Sequence, residues 1–120
     1  MGKRNKRKAE GLPWVGKNES LHKPKVHFIF PAPEAKEVYL AGEFNGWHTQ
    51  TVPMIKRANG IWIATMELAA GRHEYKLFVD GAWMEDRSCE VVVEKGSLKL
   101  MLESEPVINS YGTANYILYL

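Results

Sequence analysis

Residues 37–47, EVYLAGEFNGW, constrain the fold of this chain more than any other stretch: a short strand runs straight into a tight turn that ends on a tryptophan. Val38 and Leu40 point to one face and Tyr39 to the other, the period of two that marks a half-buried strand. Gly42, Asn45 and Gly46 supply the backbone freedom that a sharp reversal needs. Phe44 is expected to fold inward as the plug of the turn, and Trp47, at its exit, to face outward. Residues 74–83, EYKLFVDGAW, repeat the scheme with an alternating strand, an Asp80-Gly81 hairpin turn and a second tryptophan, Trp83. Two strand–turn–tryptophan units in one small chain predict paired aromatics presented at one place.

The rest of the punctuation is that of an all-β domain. Val26, Phe28 and Phe30 alternate with His27 and Ile29 until Pro31 and Pro33 end the strand. Val52 and Met54 alternate up to Lys56, residues 57–60 (RANG) read as a hairpin loop, and residues 61–68 return, with Trp62 assigned to the core. Residues 69–71 turn again into a strand over 73–79, where Phe78 is also assigned to the core. Turn signals every 8–12 residues without helical periodicity predict a small antiparallel β-sandwich, as in immunoglobulin-like folds, although the Cys…Trp…Cys pattern of a true immunoglobulin domain is absent. At 120 residues the chain is one domain, too short for a sizeable enzyme. No run approaches the roughly eighteen apolar residues of a membrane span. The single cysteine, Cys89, excludes an internal disulfide and fits a reducing, cytoplasmic setting.

The charge is unevenly spread. Residues 1–25 carry eight Lys/Arg against Glu10 and Glu19, a balance of +6, while residues 26–120 set eight against twelve Asp/Glu, a balance of −4. Residues 1–24 therefore read as a disordered basic tail ahead of a domain over 25–120. The cluster at residues 3–8 is either a solvated extension or a contact for nucleic acid or an anionic surface. Its lack of interleaved aromatics argues against single-strand binding. Trp14 is an oddity in such a tail, either docked on the sandwich or exposed.

The two tryptophan units carry a family resemblance. Residues 38–47 (VYLAGEFNGW), 60–62 (GIW), 71–83 and 112–115 (GTAN) resemble the glycogen-binding type of carbohydrate-binding module, family 48 or isoamylase N-terminal-like. Such early-set immunoglobulin-like domains occur in AMP-activated protein kinase beta subunits and before the barrel of branching and debranching enzymes. The resemblance covers roughly residues 25–120. It departs between Trp83 and Gly112, where residues 89–94 and 97–102 read as an added hairpin with Leu98, Leu100 and Leu102 on one face. That hairpin is expected near the ligand face, extending the sugar site, covering it or touching another chain, and its leucine face is the best candidate for a protein contact.

An α-glucan exposes a patch of C–H groups on each ring and a fringe of hydroxyls, so a binder wants flat aromatics below and polar groups at the rim. Trp47 and Trp83 suit the first role, each stacking contact contributing on the order of 1 kcal/mol beyond burial. Lys76 lies on the strand between them, and its three donors can hold two hydroxyls. The resemblance implies sugar contacts at Trp47, Lys76, Trp83, Thr113 and Asn115, with Tyr111 in place of a bulky residue that pierces a coiled glucan. Against this, a tryptophan in a β domain is most often core, a lone lysine is most often solvated, and Thr113 and Asn115 could simply cap the last strand.

Nothing in the sequence points to catalysis. Glycoside hydrolysis needs two carboxylates set across a cleft; Asp80 is explained by its turn, Glu85 and Asp86 by exposure. The four histidines lack metal-ligand spacing, and nucleophile or phosphate-loop motifs are absent, so no metal and no cofactor are expected. The predicted function is non-catalytic binding of glycogen- or starch-like α-glucan. The alternatives are a protein-interaction or dimerisation module on the same fold that has lost sugar binding, and an accessory domain working with a glycoside hydrolase on another chain.

Overall fold

A computed structural model describes residues 23–120. The tail expected over residues 1–24, with its basic cluster and Trp14, lies outside the described residues apart from Lys23 and Pro24. Ten strands follow: β1 (Lys25–Pro31), β2 (Val38–Gly42), β3 (Ile55–Lys56), β4 (Ile61–Glu67), β5 (Arg72–Val79), β6 (Ala82–Met84), β7 (Glu90–Lys95), β8 (Leu98–Leu102), β9 (Glu105–Ile108) and β10 (Ala114–Tyr119). All pairings are antiparallel. One sheet runs β9-β10-β5-β2, with β6 paired to the far end of β5; the other runs β3-β4-β1-β7-β8. This is the all-β sandwich that the alternation predicts.

The core forms where the inward phases of the two sheets meet. Val26, Phe28 and Phe30 of β1 and Val91 of β7 face Leu40, Tyr75, Leu77 and Leu118, all essentially without exposure. Phe28 meets the edge of the Tyr75 ring at 5.2 Å, and Phe44 closes over Phe28 at 6.3 Å, half-buried, as the plug of its turn. Trp62 is core as expected, its indole N–H donating to the Ala32 carbonyl at 2.9 Å. Tyr75 keeps its hydroxyl satisfied inside: it shares a 2.6 Å hydrogen bond with Ser104 Oγ and accepts the Cys89 backbone N–H at 3.0 Å. Burial pushes the Tyr75 hydroxyl and the Cys89 thiol well above their ordinary ranges, so neither ionises near neutral pH.

Two expectations are corrected. Phe78 is not core: Tyr75 and Leu77 take the inward phase of β5, which turns Phe78 to the outer face, edge-on to Trp83 at 5.1 Å. The hairpin of β7 and β8 does not lie near the tryptophan turns either. It joins the opposite sheet because β7 pairs with β1 along five residues, from Lys25–Glu94 to Ile29–Glu90. Val91 and Val93 are thereby part of the core, and β8 becomes that sheet's outermost strand.

Candidate functional site: a groove between two tryptophan turns

The first turn is built by Asn45. Its side-chain oxygen accepts the Gly42 N–H at 3.0 Å, while its amide donates to the His48 carbonyl at 3.0 Å and to Thr51 Oγ1 at 2.8 Å. The short 3-10 turn Glu43–Asn45 ends in two consecutive left-handed residues, Gly46 (φ 66°) and Trp47 (φ 63°). Glycine accepts that conformation freely, but a tryptophan there is strained, of order 1 kcal/mol or more. The half-buried indole lines a groove rather than joining the core. Gly42 is required for a different reason: a Cβ on it would lie 2.4 Å from the Glu74 carbonyl oxygen and 2.6 Å from the Phe44 ring.

The second turn follows from Asp80 (φ 50°) and Gly81 (φ 85°), the two positive φ values of a type I′ hairpin. Asp80 Oδ1 accepts the backbone N–H groups of Lys36 at 2.9 Å and Glu37 at 2.8 Å, and these bonds hold its carboxyl below the usual carboxylate range. The turn folds β6 back along β5, pairing Phe78 with Trp83. Trp83 remains 38% exposed.

Between the turns sits Lys76, on the outward phase of β5 yet only 5% exposed. Its ammonium lies 3.1 Å from Glu85 Oε1, donates to Thr113 Oγ1 at 3.2 Å, and stands 5.6 Å from the centre of the Trp83 ring. The lysine is therefore part of the groove floor, not a mobile group at the rim. Thr113 Oγ1 also accepts the Asn109 amide at 2.7 Å, so its own hydroxyl proton is the group left to donate outward. Asn109 bonds Asn115 at 3.0 Å, and Asn115 donates to Glu74 at 3.0 Å, whose other oxygen accepts from Arg72 at 2.6 Å. The Asn115 hydrogen bond, joined by Arg72, outweighs burial and keeps Glu74 below its ordinary carboxyl range.

The loop between β9 and β10 is shaped by the same Asn109, whose side-chain oxygen accepts the N–H groups of Tyr111 at 2.9 Å and Thr113 at 3.1 Å. Tyr111 stands at its tip, 89% exposed.

All six residues singled out from sequence, Trp47, Lys76, Trp83, Tyr111, Thr113 and Asn115, line one open groove of about 620 Å³. Glu43, Glu74, Glu85 and Asn109 line it as well and were not anticipated. Glu85 had a readable signal: the two-residue turn at Asp80-Gly81 sets Val79 opposite Ala82 and Leu77 opposite Met84, so the next rung puts Lys76 opposite Glu85. Asn109 had none, since its role depends on how the loop closes. Among the described residues no cluster of three or more His, Cys, Asp or Glu could hold a metal ion, and no helix is long and apolar enough to cross a membrane.

The sequence model of a family described as the glycogen recognition site of AMP-activated protein kinase matches residues 25–104. Similar proteins include the 5'-AMP-activated protein kinase subunits beta-2 of Mus musculus and Homo sapiens, each 45% identical over 60 residues, and beta-1 of Rattus norvegicus at 42% over 60 residues. In each case the aligned part is 50% of this chain and 21% of the relative, so the chain spans about a fifth of the length of the curated relatives it matches. The matched span contains Trp47, Lys76, Trp83 and Glu85 and both strands of the β7–β8 hairpin; it stops before Tyr111, Thr113 and Asn115. With two thirds of its length matched, this chain belongs to the family of the glycogen recognition site of AMP-activated protein kinase.

Proposed function

We propose that the groove binds α-glucan, glycogen- or starch-like, and that it does so without catalysis. The observation that carries this reading is the convergence of two indoles from separate turns in the lining of one groove with a fixed polar floor. Indole faces offer the flat apolar surface that a glucose ring stacks on. Lys76 has two of its three N–H directions committed to Glu85 and Thr113, leaving one for a sugar hydroxyl, and Thr113 and Asn115 add directed polar groups beside it. Tyr111, aromatic and 89% exposed, is placed to stack on a glucan that leaves the groove. Two of the three acidic residues of the groove are engaged, Glu85 by Lys76 and Glu74 by Arg72 and Asn115, and Glu43 lies at the 4.0 Å limit of contact with Arg72, so no two unengaged carboxyls face each other for acid–base work on a glycosidic bond. Affinity is modest because an open groove covers only part of an oligosaccharide and association itself costs several kcal/mol.

The test is a titration with maltoheptaose or β-cyclodextrin followed by tryptophan fluorescence. Far-UV circular dichroism reports folding in every variant, independently of the four tryptophans. Saturable quenching is expected in the native chain, with Trp47→Ala and Trp83→Ala folded but weakened roughly tenfold or more each. An unchanged signal up to millimolar sugar would sink the reading. A second reading concerns protein contact: Leu98 and Leu100 are 64% and 58% exposed, and with Leu102 they form an apolar strip on β8 that fits a partner surface.

A further inference from the structure

The four lateral margins of the sandwich are not treated alike. Exposed strand edges present unpaired N–H and C=O groups, and proteins ordinarily blunt them with short strands, proline, charge or a covering segment. Three margins follow that rule. β3 is two residues long, and β9 is four residues with Pro106 inside it. β2 is covered by the following segment, with Leu40 N–H donating to Val52 at 2.9 Å and Met54 N–H to Val38 at 2.8 Å. The fourth, β8, is five residues of LKLML without proline. Its one charge, Lys99, is 70% exposed and lies 3.3 Å from Glu94 of the adjacent strand. Leu98, Leu100 and Met101 are 64%, 58% and 72% exposed, and among the described residues β7 is the only strand that pairs with β8.

We infer that β8 pairs with β8 of a second copy of this chain, antiparallel about a two-fold axis, joining two five-stranded sheets into one of ten strands. This rests on the reading of Leu98, Leu100 and Leu102 as a contact surface and names its occupant. The occupant follows from self-complementarity. In the register that centres on Met101, Lys99 stands opposite Glu103 of the second copy, the residue that directly follows β8, and the two-fold axis repeats that pair. On the other face Leu100 stands opposite Leu102 of the second copy, also twice. Those leucines share the phase of Val91 and Val93, because Leu102 pairs with Val91 and Leu100 with Val93. The seam therefore continues the apolar face of the sheet instead of opening a new one. Met101 meets its own counterpart at the centre.

The experiment uses the full chain. Its mass is measured by sedimentation equilibrium over roughly 1–500 μM, and Met101→Cys is oxidised under mild conditions. Cys89, buried, does not compete for cross-linking. A concentration-dependent dimer is expected, with Leu100→Arg weakening it roughly tenfold or more. Lys99→Glu weakens it as well, and Lys99→Glu with Glu103→Lys restores it, a rescue that a misfolded variant does not produce. Met101→Cys is expected to give a disulfide-linked dimer, while Lys99→Cys, which faces residue 103, does not. A dimer that ignores Leu100→Arg and leaves Met101→Cys unlinked overturns the proposal, because the contact then lies elsewhere. A monomer throughout the range overturns it too, and hydrogen exchange at the outward amides of β8 then separates the two readings. Slow exchange means that this chain's own residues cover the strip; fast exchange removes the contact surface itself. Neither outcome touches the glucan reading, whose titration is independent.

Discussion

The ammonium of Lys76 sits on the outward face of β5 but is enclosed by the Trp83 indole, the Glu85 carboxylate and the Thr113 hydroxyl. A charge at 5% exposure is tolerable only while its partners stay in place. Glu85→Gln keeps an acceptor but removes the opposite charge, so we expect a loss of about 1 kcal/mol in stability, small because the Glu85 side chain is itself 44% exposed. Maltoheptaose affinity is expected to fall only a few-fold in the same variant, because the lysine stays in the floor. Adding Lys76→Met should recover the stability and abolish most of the sugar binding, a non-additivity that urea melts of the four-member cycle would reveal. Stability that falls further in the double variant would mean that the pair is not coupled. The residues themselves were legible to different depths. Trp47, Lys76 and Trp83 stand out within two short motifs, whereas the burial of Lys76 is not a property of its own segment. It comes in part from Thr113, in the loop just before β10, a strand that neighbours β5 only in the folded sheet.

At the level of elements, local alternation found nearly every strand, since a two-residue period is written in consecutive residues. It placed Leu98, Leu100 and Leu102 on one face of a hairpin correctly, but which sheet the hairpin joins is decided by β7 pairing with β1, over sixty residues away in the chain. No local pattern encodes that choice. Phe78 was misread for a related reason: with Tyr75 and Leu77 both inward, the strand's phase leaves Phe78 outside, where it supports the flank of Trp83. The first turn supplies the prediction at this scale. Gly42 is extended (φ −173°), so no residue is excluded by backbone angles. What excludes a side chain is contact, because its Cβ would press on the carbonyl of Glu74, a backbone atom of β5 that cannot move without carrying the strand. Gly42→Ala is expected to cost about 2 kcal/mol and to weaken sugar binding together with stability, since β5 also carries Lys76. Urea denaturation followed by far-UV circular dichroism, beside a maltoheptaose titration, checks both; an unchanged midpoint would show that the strand yields more easily than its pairing on both sides implies.

For the molecule as a whole, what matters is that the two surfaces belong to different sheets. The groove is formed on β5, β6, β10 and their loops, and the self-pairing strand is the far margin of β3-β4-β1-β7-β8. Occupying one does not bury the other, so a pair of chains carries two grooves, each free to bind. On a short oligosaccharide that duplication changes nothing, because each groove acts alone. On a branched polymer the second groove finds its ligand already at high local concentration, and the gain is set by effective concentration rather than by any new contact. Leu100→Arg is therefore expected to leave maltoheptaose affinity unchanged while lowering retention on glycogen on the order of tenfold, measured by co-sedimentation at a chain concentration where the native protein is dimeric. Equal losses on both ligands would mean that the substitution had damaged the sandwich. Equal retention on glycogen would mean that each chain binds the polymer as a single unit, whatever its neighbours do, and that the joined sheet serves some end other than avidity.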